Sequence, residues 1–264
     1  MKQTTHFSLP LAARAFSVLS LVGLAIVGVR AAALAEDALA PTLSDAINIA
    51  DVAAEAESLI EKNDEKVSAL DEYQKSKKLV VRQATILAIL AQAVALGNGE
   101  VAWKDRALEV RDAAMELAKA SSYEEAQKAQ AQIKALLEGE SQKMAQPLPW
   151  REIAGLGTIM KGVTKRNNLV RRPISKTRFE NGKEAGARSA AVLAVLFSAA
   201  RDDTHEVENK DDIPEWEQYS DEARDGMIEL ARIFKEGKYP DARKQFLAVS
   251  KSCKKCHEKF RPEP

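Results

Sequence analysis

Cys253-Lys254-Lys255-Cys256-His257 concentrates the chemistry of this 264-residue chain: it holds both cysteines and one of only three histidines. C-x-x-C-H is the spacing of covalent c-type haem attachment. Two thioethers one helical turn apart would hold a porphyrin edge by its two vinyl positions. The histidine next to the second cysteine then reaches the iron as an axial ligand. Other readings use the same residue types. A redox dithiol belongs beside a βαβ pattern, and no strand pattern is visible here. A zinc site would have to borrow His205, which stands in an acidic loop with no second ligand pair nearby. Chance occurrence is the third alternative.

The elements that must position this string are helices. Tyr239, Ala242, Phe246, Val249, Cys253, Cys256 and Phe260 recur in steps of three and four, the stripe of an amphipathic helix. Cys253, Cys256 and His257 fall within one face about 100° wide. The composition agrees, with 5% aromatics, only 12 Gly and 9 Pro, and Ala, Leu, Glu and Lys throughout. Lys plus Arg balance Asp plus Glu at 39 each, which argues against a nucleic-acid binder.

Punctuation divides the chain into helices near 43–64, 66–97, 101–120 and 123–140, then 149–172, 177–201, 214–235 and 239–261. Residues 141–149, with Pro147 and Pro149, read as a linker between modules at 42–140 and 150–264. The halves match each other. Trp103 to Lys119 aligns without gaps on Trp216 to Arg232, with seven of 17 positions identical, among them the Trp pair and Arg111-Asp112 on Arg224-Asp225. Tyr123, Ala126 and Lys128 fall on Tyr239, Ala242 and Lys244. The expected fold class is therefore all-α, two tandem four-helix bundles, the second carrying the haem. The paired tryptophans read as packing anchors, since Trp103 stands in a half without the motif.

Ser252-Cys253-Lys254-Lys255-Cys256-His257-Glu258-Lys259-Phe260-Arg261, closing the last helix of such a bundle, resembles the C-terminal signature of the cytochrome c-prime family. The resemblance implies one covalent haem c, with Cys253 and Cys256 as attachments, His257 as proximal ligand and Arg261 as its basic neighbour. It implies a distal side supplied by the first helix of the bundle. There Leu156 and Ile153 are apolar caps, and Met160 is a candidate sixth ligand to the iron. The first half departs from the pattern, with Leu137, Glu140 and Ser141 standing where the motif has Cys253, Cys256 and His257. That half cannot attach a haem, and would stand in for the second subunit of the homodimers seen in the family.

Residues 1–35 read as an export signal. Lys2 and Arg14 precede the apolar run from Ala15 to Val29, and Ala33-Leu34-Ala35 offers a signal-peptidase site. Arg30 ends the run short of the about 20 apolar residues a membrane span needs. Cleavage leaves a periplasmic chain with no stable membrane span and three more acidic than basic residues. The expected function is electron transfer with a redox partner protein. The alternative is a five-coordinate haem module binding NO or CO, and the third reading is a metal-free or zinc-bound helical scaffold. No catalytic residues are expected: after cleavage His205 is the only histidine besides His257.

Overall fold

A computed structural model describes residues 46–141, 145–205 and 207–261, all within one compact unit spanning Pro41–Pro264. The expected export signal, residues 1–35, lies outside the described residues. In the first bundle α1 is Ile49–Val67, α2 Leu70–Leu96, α3 Ala107–Lys119 and α4 Tyr123–Glu138. In the second, α5 is Trp150–Ile153, α6 Leu156–Arg171, α7 Phe179–Asp202, α8 Ile213–Lys235 and α9 Tyr239–Phe260. The chain is all-α, as its periodicity predicts, with two differences. Short 3-10 turns, Lys104–Arg106 and Lys210–Asp212, precede α3 and α8. The expected helix over 149–172 is broken in two.

The break has a local cause. Ala154 and Gly155 are extended, at ψ 137° and 152°. The carboxylate of Asp203 accepts the backbone N–H of Leu156 at 2.7 Å, so a distant residue caps the first turn of α6. Glycine is a poor helix interior residue, and an N-terminus satisfied from outside is the better state for this segment. At the opposite extreme is α2, which is long and apolar enough to cross a membrane by composition. Two thirds of its most apolar window is buried inside the protein, so it is the central core helix.

The two bundles share one continuous apolar core. Their seam is made by the first helices of each: α1 packs on α7, and α2 on α6 and α7. Gly162 lets α6 approach α2 closely, since a Cβ there would lie 2.6 Å from Ile86 Cδ1. Arg166 of α6, nearly fully buried, pairs with Glu55 of α1 at 2.7 Å. The described part of the expected linker is a pinned strap. Gln92 both donates to Leu148 O (2.7 Å) and accepts from Leu148 N (2.9 Å). Arg111, 2% exposed, donates to Gln92 Oε1 at 2.8 Å and Gln146 O at 2.7 Å.

The bundles differ at one edge. In the first, α1 packs against α4 and closes the square. In the second, among the described residues, α6 and α9 do not pack in this way, and a cleft separates them.

Candidate functional site

The cleft has a volume of about 940 Å³, within the range of cofactor sites. Its far wall is α6, through Met160, Val163 and Thr164, and Phe197 and Met227 close the bottom. Opposite stand Cys253, Cys256 and His257 on α9, with Arg261 just past the helix end. The fold thus brings together five of the six site residues expected from the sequence.

Leu156 is the exception. The Asp203 cap holds it at the start of α6, where it lines a separate depression with Gly155, Gly157 and His205. Ile153 is buried at the end of α5. Met160, one helical turn beyond Leu156, is therefore the expected distal residue that reaches the cleft.

Several contacts fix the motif helix. Phe260 packs edge-on to Trp216 at 5.3 Å between centroids and to Tyr219 at 6.4 Å. Lys259 donates to Asp212 at 2.8 Å and also binds Glu215, which accepts from the Tyr219 hydroxyl at 2.9 Å. Ser252 donates to Glu222 at 2.7 Å. Lys259 is thus a clamp between α9 and α8. Only the folded chain shows this, because its acidic partners lie over forty positions away.

The electrostatics keep the motif neutral. Burial raises both thiol pKa values; that of Cys256 is pushed up to about 11, with Cys253 and Glu215 adding to the effect. The thiolate is the nucleophile, and an ordinary cysteine ionises near 8.5. In the haem-free chain at pH 8, Cys256 should therefore react with iodoacetamide roughly a hundredfold more slowly than an unperturbed thiol. Its rate should keep rising with pH to about 11. A mass-spectrometric time course checks this; a plateau near pH 8.5 would contradict it. Burial, then the neighbouring Arg261 charge, lower the His257 pKa, so its imidazole is neutral near pH 7.

Trp216, read from sequence as a packing anchor, packs on Phe260 as expected and has a second feature. It is 4% exposed and lines the cleft, and its indole Nε1 has no hydrogen-bond partner. Its repeat counterpart Trp103 donates to Glu57 Oε1 at 2.8 Å, an acceptor supplied by α1. The first bundle thus satisfies from its own first helix a donor that, in the second, is buried with no partner among the described residues. The repeat alignment holds the signal, but only the pairing shows its meaning.

The zinc reading finds no support. His205 Nδ1 is 2.9 Å from Asp203 Oδ1, in the separate depression. Among the described residues no three His, Cys, Asp or Glu side chains converge as a metal-ion site.

Residues 155–261, covering α6 to α9, match the family model described as Cytochrome C′. No curated protein and no solved structure matches the chain. The matched segment contains the cleft, both of its helical walls and the complete Cys-x-x-Cys-His string. It is this C-terminal bundle, residues 155–261, that is similar to the cytochrome c′ family.

Proposed function

We propose that the protein is an exported, periplasmic monohaem c-type cytochrome that transfers electrons through a haem c in the α6–α9 cleft. The observation that carries this reading is the meeting of Met160 on one wall with Cys253, Cys256 and His257 on the other. When bound, haem c supplies a one-electron Fe(III)/Fe(II) couple.

The residues fit such a group. Cys253 and Cys256, half-buried free thiols on the cleft wall, would form the thioethers. His257, kept neutral, has the lone pair an iron ligand needs. The buried Trp216 N–H, on a residue that lines the cleft, has no acceptor among the described residues, and a porphyrin carries two carboxylates. Arg261, beside His257 at the rim, favours the neutral imidazole by its charge. The Met160 thioether is the sixth-ligand candidate, and a His/Met pair favours electron transfer. Lys251 and Lys255 stand on the same helix with no ion pair among the described residues, and a positive rim would steer an acidic redox partner.

Trp216→Phe tests the fit. In the haem-loaded protein it should cost about 1–3 kcal/mol of stability through loss of the hydrogen bond. The haem-free chain should be unaffected or gain, because a buried unsatisfied donor is removed. Equal losses in both forms, measured by denaturant titration, would contradict the role.

The second reading is capture of NO or CO at an open iron. Val163 and Phe197, apolar neighbours of Met160 in the cleft, favour it, since small neutral gases need no charged host. Absorption spectra with and without CO separate the two. Electron transfer predicts a low-spin spectrum that CO leaves unmoved and that Met160→Ala turns high-spin and CO-sensitive. A wild-type spectrum already high-spin and shifted by CO would favour gas binding.

A further inference from the structure

Arg172, Arg178 and Arg188 line one depression of about 490 Å³ at the α6–α7 turn, on the other side of α6 from the cleft. The adjacent residues Asn168 and Leu169 mark the two sides, the first facing the cleft and the second flooring the depression. None of the three arginines makes an ion pair among the described residues. The one carboxylate in the lining, Glu55, is held by Arg166 at 2.7 Å. Nearby Glu180 is held by Lys183 at 2.8 Å.

The positive field extends along the seam. Lys165, one turn before Leu169 on the same face of α6, has Arg166, Arg82 and Lys62 as neighbours, and burial with their repulsion lowers its pKa. The turn that shapes the depression is specific to the second half. The first bundle joins α1 to α2 through Ser68 and Ala69 alone, whereas the second inserts 172–178, which supplies Arg172 and Arg178. Guanidinium forks match phosphate oxygens in bidentate geometry. Thr177 and Asn181 add neutral polar groups, and Pro173 adds apolar surface.

We propose that this depression is an oxyanion site for a phosphate group, free or on a lipid headgroup, held by Arg172, Arg178 and Arg188. The inference rests on the arginines and the turn and is independent of the haem reading.

The test uses the purified mature protein as isolated. Inorganic phosphate is titrated calorimetrically against chloride at equal ionic strength, and sedimentation with phosphatidylglycerol and phosphatidylcholine vesicles runs in parallel. Saturable phosphate binding is expected, weakened about tenfold or more in Arg178→Ala and in Arg188→Ala and unchanged in Lys244→Ala. Circular dichroism checks that each variant is folded. Phosphatidylglycerol binding that free phosphate competes away, with none to phosphatidylcholine, assigns the headgroup as source; free phosphate alone assigns the soluble anion. Heat that chloride reproduces, vesicle binding that phosphate cannot displace, or variants that bind as wild type would each overturn the proposal.

Discussion

Cys253→Ala/Cys256→Ala, produced in a host that matures c-type haem, should yield a chain with no covalent haem, against a wild type that carries one. The two residues are the only cysteines in the sequence, so no other thioether can form. Both stand on the cleft-facing stripe of α9 one turn apart. Their removal should not unfold the bundle. Each is only half-buried, and the clamps at Lys259, Phe260 and Ser252 do not involve them. The double variant should therefore keep its helical circular dichroism while a denaturing haem stain finds nothing. A band that still stains after denaturation would place the attachment elsewhere.

Arg166→Ala should cost on the order of 3 kcal/mol, near the low end for breaking a buried pair, because Lys165 and Arg172 remain near the abandoned Glu55 carboxylate. The pair crosses the seam, so the loss should loosen the bundles from each other as well as lower the denaturation midpoint. Glu55→Leu/Arg166→Met removes both charges together and should recover most of the loss, since desolvating two ions offsets much of what their attraction returns. Equilibrium denaturation of the three proteins checks this. A cost under about 1 kcal/mol for Arg166→Ala would show that the pair does not hold the seam.

How much of this was legible in the sequence follows from what each residue depends on. The cysteine–histidine face of α9 was legible because a seven-position apolar stripe at helical spacing fixes a helix's orientation by itself. The helix order was legible for the same reason, and Gly, Pro and Ser-Ser marked most of the ends. The break at Ala154-Gly155 was not, because its cause is Asp203, some fifty positions away. That contact also holds Leu156 at the very start of α6, so that Met160, one turn further along the same face, is the one that lines the cleft. The strap at Gln146 to Leu148 reads as a linker from its prolines, while the donors that pin it, Gln92 and Arg111, sit in α2 and α3. The unpartnered Trp216 N–H needs both halves folded before its contrast with Trp103 exists.

The first bundle gains a physical account from the same contrast. Its square is closed by α1 on α4, its tryptophan is satisfied by Glu57, and Leu137, Glu140 and Ser141 replace the motif. What it contributes is the seam, where α1 and α2 cover the first helices of the second bundle. The mature protein is accordingly expected to sediment as a monomer, its second half already covered by the first.

The most direct test of the central claim is the intact mass of the mature protein, purified from the periplasm of a haem-maturing host and denatured before measurement, with a pyridine haemochrome spectrum of the same sample. The account predicts a polypeptide cleaved after Ala35 and heavier by one haem, with the haemochrome of a porphyrin bearing two thioethers. A mass equal to the bare polypeptide, with haem absent or extracted by acid acetone, would contradict it.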